Sequence, residues 1–341
     1  MARRSGSATI SEVAARAGVS PATVSRVMNG RFLGEPSVAE RVRKAASDLD
    51  YSPSHLARSL ALGQTKAIAF LVPDLANPAF QAVLSSLSKT AAKDGYRVLV
   101  ADSAESPSDE PLLAVETRRR CDAIVLCAPR MPESELVALA GSLEPLVLIN
   151  RAAPRTAAPS LSIDYQSGIQ SLAQHLYSLG HRRLAYLEGP EGSVSNGHRL
   201  RGLEEFERAV PDVRIQRLPG GAGSEDGLAA AERVRDSGAT AVLAFNDLVA
   251  VGLIGGLVEL GVRVPEDVSV TGFDDIPFAR YTSPSLTTAS VPHEELGVQA
   301  WHRMSALIRG EAPDHNVVFQ PRLELRRSTA APAPLPAASR P

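Results

Sequence analysis

Four short apolar runs of this chain end on polar pairs: Pro73-Asp74, Asn150-Arg151, Asn246-Asp247 and Asp274-Asp275. A carboxylate accepts hydrogen bonds and a side-chain amide both donates and accepts, so such groups can surround a small polar molecule. Ligands of open α/β sheets bind outside the carboxyl ends of strands. Asp and Asn are also ordinary turn residues. The ligand reading therefore depends on two sheets facing each other across one cleft.

A second set lies near the N-terminus. Ala22, Ser25, Arg26 and Asn29 recur at i, i+3, i+4 and i+7, while Val24, Val27 and Met28 share the other side. A short helix offering one arginine and small hydrogen-bonding groups on its outer face suits the major groove of DNA. The same pattern also describes a surface face on a small helical hairpin.

Other chemistries lack their residues. There is no G-x-S-x-G nucleophile elbow, and the seven histidines do not pair with carboxylates at metal spacing. Gly220–Gly223 has neither the lysine nor the strand–glycine–helix context of a phosphate loop. Cys121 and Cys127 are too few for a disulfide framework. No cofactor or metal is expected.

The elements that must hold these residues follow from spacing. Thr9-Ile10-Ser11-Glu12 is a capping box, Ile10, Val13, Ala14 and Ala17 form an apolar stripe, and Gly18 stops the helix. Ser20 caps a second helix that begins at Pro21. This is a helix-turn-helix. Ser37-Val38-Ala39-Glu40 predicts a capped third helix with Val38, Val42, Ala45, Ala46 and Leu49 inward. Ser52 and Pro53 can start a two-turn helix, too short to be stable alone.

Beyond residue 66, strands are predicted at 67–72, 97–101, 123–127, 146–149, 184–187, 241–245 and 268–272. Helices fill the gaps, for example 78–94 and 165–179. Alternation of this kind means parallel sheets covered on both faces. About 260 residues exceed one comfortable core, so two α/β lobes are expected.

The 341 residues are 44% hydrophobic and 22% charged, which excludes a disordered or fibrous chain. No run of 18 apolar residues exists, so no membrane partner is expected. The basic start, Met1 to Ser7, lacks an apolar stretch after it, and a reducing cytoplasm fits best. The net charge of −2 conceals an asymmetry: residues 1–62 hold nine Lys/Arg and five acids, a net +4, leaving −6 on the remainder. A basic head on an acidic body points to a polyanion as partner of the head.

The strings TISEVAARAGVSPATVSRVMNG and YSPSHLARSLALGQTKAIAFLVPDLANPAF resemble the lactose-repressor (LacI/GalR) family of bacterial transcriptional regulators. The likeness continues through HLYSLGHRRLAYLEGP, AFNDLVAVG, VPEDVSVTGFDD and SPSLTT to PRLELRRS, about 320 residues in all. It implies an all-α helix-turn-helix head (9–51) and a hinge helix (52–62). A periplasmic-binding-protein-like body (66–327) of two doubly wound parallel-sheet lobes follows. The N-lobe would hold about 66–164 and 292–318, the C-lobe about 165–291 and 319–327, and 328–341 a disordered tail.

The resemblance also implies roles. Pro21 and Ala22 occupy base-specifying positions, with Ser20, Thr23, Ser25, Arg26, Asn29 and Leu33 beside them on DNA. In the hinge, Ser54, Ala57 and Arg58 accompany Leu60, which falls where the family places a minor-groove wedge. Arg199 matches the effector-binding arginine, whose guanidinium can fork onto two vicinal hydroxyls. Asp74, Phe80, Asn150, Asn246 and Asp274 complete the expected effector set. There are departures: Gly34 replaces the usual β-branched residue, Asn150 an aspartate, and Ala222 the tryptophan of some sugar-responsive members. Val291 and His293 differ from the lactose-type pocket. The implied partners are double-stranded DNA at a pseudo-palindromic operator, a sugar-like effector and a second copy of the chain. The C-terminus has no leucine heptads, so a homodimer rather than a tetramer is expected. A transport protein would need an export signal and no basic head, and an enzyme would need a nucleophile–base or metal set.

Overall fold

A computed structural model describes residues 8–51, 64–313 and 316–333. Two compact units emerge, one up to Thr65 and one from Lys66 onward. The expected hinge, with Ser54, Ala57, Arg58 and Leu60, lies outside the described residues.

In the first unit, α1 (Ile10–Ala17), α2 (Pro21–Met28) and α3 (Pro36–Asp48) close one small core. Thr9 and Glu12 make the expected reciprocal cap on α1, and Gly18 leaves the helix at φ +64°, where a β-carbon would be strained. Val13, Val24 and Val42 are fully buried, with small Ala14, Ala17, Ala45 and Ala46 letting the helices approach. The box expected at Ser37 is absent. Instead α3 starts at Pro36, whose fixed φ suits the first helical position, and Ser37 Oγ points to Glu35. Ala39 rather than Val38 is therefore the buried residue of that turn.

The second unit holds two parallel sheets. Its first sheet runs β11 (Val317–Phe319), β5 (Ser160–Ile163), β4 (Leu146–Ile149), β3 (Ala123–Cys127), β1 (Ala67–Val72) and β2 (Arg97–Asp102). The second runs β7 (Arg214–Pro219), β6 (Arg183–Glu188), β8 (Ala241–Ala244) and β9 (Ser269–Thr271). An antiparallel pair, β10 (Thr288–Ser290) with β12 (Arg322–Glu324), carries chain between them. The central strands β1, β3 and β4 are buried almost end to end, which explains their continuous apolar runs.

Helices cover both sheets. On the first lobe these are α4 (Pro78–Lys93), α5 (Glu110–Arg118), α6 (Glu133–Leu143) and α11 (His293–Ile308). On the second they are α7 (Tyr165–Ser178), α8 (Val194–Ala209), α9 (Ser224–Ser237) and α10 (Asp247–Glu259). At the crossing of α9 and α10, a β-carbon on Gly252 would sit 1.8 Å from the Ser224 carbonyl oxygen, so only glycine fits.

Residues 328–333, expected within a disordered tail, are placed against the second sheet. Ser328 is fully buried; its carbonyl accepts from Val270 N at 2.8 Å, and its Oγ accepts from Thr287 N at 2.8 Å and donates to Val270 O at 2.6 Å. Residues 328–333 are thus docked beside β9, because that strand's free edge offers backbone groups that need partners. Both cysteines are buried, and burial pushes the Cys127 thiol up to about 12.

Candidate functional site

On the first unit, α2 presents Pro21, Ala22, Arg26 and Asn29 to solvent, with Thr23 and Ser25 half-buried at the edge of the same face. Ser20 is used as the cap: its Oγ accepts from Thr23 N at 3.2 Å. Asn29 Nδ2 donates to Ser25 O at 2.8 Å, which fixes its amide at the end of the helix. Arg26 is exposed with no partner among the described residues, and Leu33 is fully exposed.

Between the lobes of the second unit lies a cavity of about 30 Å³, room for about two waters. Phe80, Asn150, Arg199, Asn246 and Asp274 all line it. Asp74 does not: its Oδ1 accepts from Ala76 N at 2.7 Å and closes a turn. Like other strand-end aspartates, Asp74 bonds its own backbone two residues on. Five of the six expected residues therefore share this lining, and Asp74 lies outside it.

Arg199 is the central group. It is 2% exposed, in the second turn of α8, and its Nε and Nη1 have no partner. Its guanidinium carbon lies 4.4, 4.7 and 4.1 Å from the ring centres of Tyr165, Phe245 and Phe273. These π faces steady the charge and fix the fork without using its N–H donors. Asn150 Oδ1 is also buried without a donor, on a residue at φ +55°.

Asn246 has a structural duty that strand-end position alone does not reveal. Its Oδ1 accepts from Val249 N at 2.9 Å as the N-cap of α10, and its Nδ2 donates to Ala222 O at 2.8 Å. Asp274 sits at φ +111° after β9, and burial pushes its carboxyl up while the charges of His293 and Arg199 pull it down. Neighbouring Asp247, fully buried, is pushed well above the carboxylate range by burial and then by Asp274. It accepts from Thr288 Oγ1 at 2.6 Å and Ile276 N at 2.8 Å, clamping the loop that carries Asp274.

The lining also contains residues that strand ends and resemblance did not supply: Asn77, Glu105, Arg130, Tyr165, Ser195 and Phe245. Asn77 was signalled by Pro78, since it caps α4 through Ala79 N at 2.9 Å. Arg130 follows a left-handed residue, Ala128 at φ +50°, for which no local sequence signal exists. Among the described residues no group of His, Cys, Asp and Glu could hold a metal, and no helix is long and apolar enough to cross a membrane.

Known proteins share both units. Residues 9–54 match the family described as bacterial regulatory proteins, lacI family, and residues 173–329 match a periplasmic binding protein-like domain. The HTH-type transcriptional regulator GalR of Escherichia coli is 32% identical over 96% of this chain and 97% of its own length. The transcriptional repressor CytR of Escherichia coli is 30% identical over 86% of this chain and 87% of its own. Among solved structures, the lac repressor dimer bound to operator and the anti-inducer ONPF superposes with a TM-score of 0.82 at 26% identity, covering 96% of this chain and 100% of that one. A LacI family regulator from Enterococcus faecium with bound ribose gives 0.71 at 27% identity, over 78% and 99%. The relatives are transcriptional regulators and not enzymes. The head, the two-lobed body and these likenesses agree, and the chain belongs to the lacI family of bacterial regulatory proteins.

Proposed function

We propose that this DNA-binding regulator is a cytoplasmic, nucleoid-associated repressor whose operator affinity is set by a small polyhydroxylated effector, a sugar or sugar derivative, held between the lobes. The observation that carries this is Arg199, a 98% buried guanidinium whose Nε and Nη1 lack acceptors. A buried cation without hydrogen-bond partners is costly, and a ligand hydroxyl pair would satisfy it. Asn150 Oδ1 and the Asp274 carboxyl then accept from other hydroxyls, Phe80 covers a face, and the capping amide of Asn246 lends its remaining acceptor capacity. A sugar is larger than about 30 Å³, so the lobes separate to admit it.

Two heads on a two-fold dimer read a pseudo-palindrome. In each, Pro21 and Ala22 meet base edges by apolar contact and shape, and Ser20, Thr23, Ser25, Arg26, Asn29 and Leu33 support them. The hinge, 52–62, orders on DNA with Ser54, Ala57 and Arg58 against the backbone and Leu60 as wedge. Effector binding changes lobe orientation and with it the cost of pairing the hinges.

The test is a thermal-shift screen of sugars on the full chain, followed by operator titration at fixed salt with and without each hit. A hit should change operator affinity about 5- to 150-fold. Hits that leave operator affinity unchanged would refute the linkage.

A further inference from the structure

We infer that Glu105 makes the cavity selective for a neutral effector, by occupying as an internal counter-ion the guanidinium fork of Arg130 that would otherwise hold a phosphate or carboxylate. This rests on the effector reading of the cavity and adds to it a rule of exclusion. Arg130 Nε donates to Glu105 Oε2 at 2.5 Å and Nη2 to Oε1 at 2.9 Å, while Nη1 donates to the Ala128 carbonyl at 3.1 Å. Two parallel N–H···O bonds of this kind are what an arginine offers an anionic ligand. Here the protein fills them itself. The Arg130 side chain is 4% exposed and that of Glu105 24% exposed, so the pair is a wall of the cavity and not a surface ornament.

Both residues also line an outer groove of about 480 Å³, shared with Pro107, Pro132, Pro190 and Gly192. The pair therefore stands where the cavity meets the outside. It is held from behind on both sides. Glu105, at φ +57°, donates its N–H to Pro73 O at 2.7 Å, and Arg130 N donates to the buried Glu110 Oε2 at 2.7 Å. These bonds fix the two main-chain segments from which the side chains meet.

Charge balance points the same way. Apart from this neutral pair, the lining carries one further guanidinium, Arg199, and one further carboxyl, Asp274, which feel each other. With no ligand present the two guanidiniums of the lining are matched by two carboxyls, and His293 stands beside Asp274 as its further ionisable group. An anionic group would add a charge beside two carboxyls in a site with little water to screen it.

The experiment uses the full chain and paired probes, D-ribose with D-ribose 5-phosphate and D-galactose with D-galactose 1-phosphate, plus inorganic phosphate, by thermal shift and calorimetry at one ionic strength. The wild type should favour the neutral member of any pair it binds by about 100-fold. Glu105→Gln exposes the Arg130 fork, so millimolar phosphate should raise its melting temperature. Phosphorylated probes should bind it about 10-fold more tightly than they bind the wild type. A double variant, Glu105→Gln with Arg130→Gln, should lose the phosphate response that Glu105→Gln gains. Equal or tighter wild-type binding of a phosphorylated probe overturns the inference whether or not the variants fold. So does a folded Glu105→Gln that ignores phosphate. Wild-type silence toward both members of every pair, with phosphate still stabilising Glu105→Gln, would sink the sugar-effector reading while supporting the counter-ion role.

Discussion

The two lobes furnish the cavity with opposite kinds of polar group. The C-terminal lobe contributes Arg199, whose donors are unpartnered, and the Asp274 carboxyl on its strained loop. The N-terminal lobe contributes Arg130, Glu105 and Asn77, each already bonded within the protein. Each lobe has an exception: Asn150 with its orphan Oδ1 on the N-terminal one, and Asn246, whose amide is bonded at both atoms, on the C-terminal one. On the proposed reading, the first wall holds the effector and the second limits which effector fits. An unpaired buried donor subtracts from the stability of the free protein, whereas a paired one adds to it. Affinity and stability should therefore respond to different substitutions.

The largest effect should come from Arg199→Ala. Loss of two charge-assisted hydrogen bonds should weaken effector binding by about 100-fold or more, measured by calorimetry with any hit from the sugar screen. Operator affinity without effector should stay within about threefold, since no head residue is involved, and in Arg199→Met, which keeps most of the buried volume against the three rings, the melting temperature of the free protein should not fall. An Arg199→Met variant that melts well below wild type would put Arg199 with the self-satisfied groups and erase the contrast.

Glu110→Ala tests the other wall. Its Oε2 accepts from Arg130 N and Met131 N at 2.7 and 2.6 Å, and the residue is fully buried. Removing it leaves two buried amides unpaired and should cost about 2 kcal/mol in urea unfolding. Effector affinity should move only a few-fold. The reverse pattern, intact stability with lost affinity, would show that the N-terminal wall binds ligand directly.

His181, which carries the docked tail, is a control remote from both walls. It is 1% exposed, Nε2 donates to Ala330 O at 2.8 Å, and burial holds its pKa below the ordinary imidazole value. The unfolded chain takes up this proton first. The contribution is therefore complete above about pH 6.5 and is lost as pH falls toward the lower folded value. His181→Asn should remove up to about 1 kcal/mol per pH unit of that acid-side slope, read as the difference in urea midpoint between pH 7.5 and 5.5. An unchanged slope would mean that His181 takes no part in the acid sensitivity.

What the sequence makes legible follows the range of the interactions. The head is written in local spacing: Thr9 with Glu12, Ser20 with Pro21, and valines at helical intervals. The strands β1, β3 and β4 are equally plain because both their faces are buried. β7, reading Arg-Ile-Gln-Arg-Leu-Pro, is an edge strand with exposed polar positions and looks like loop. β5, β10, β11 and β12 are three or four residues long and exist through partners far along the chain. In the cavity, Asn246 and Asp274 are readable as strand ends, but Asp74 shows that the same signal also marks a turn. Glu105 and Arg130 meet across 25 residues, through two left-handed turns without glycine, and no periodicity announces such a pair.

The two cysteines have a practical consequence. Cys121 and Cys127 are 4% and 0% exposed, and burial raises both thiols, so neither offers a ready thiolate at neutral pH. To an alkylating reagent the native chain is nearly blank. A single cysteine introduced on an exposed residue can then carry a fluorophore or spin label with the wild-type background left intact. Leu33 on the head and Leu112 on α5, both exposed, are two such positions, each addressable alone in an otherwise unaltered chain.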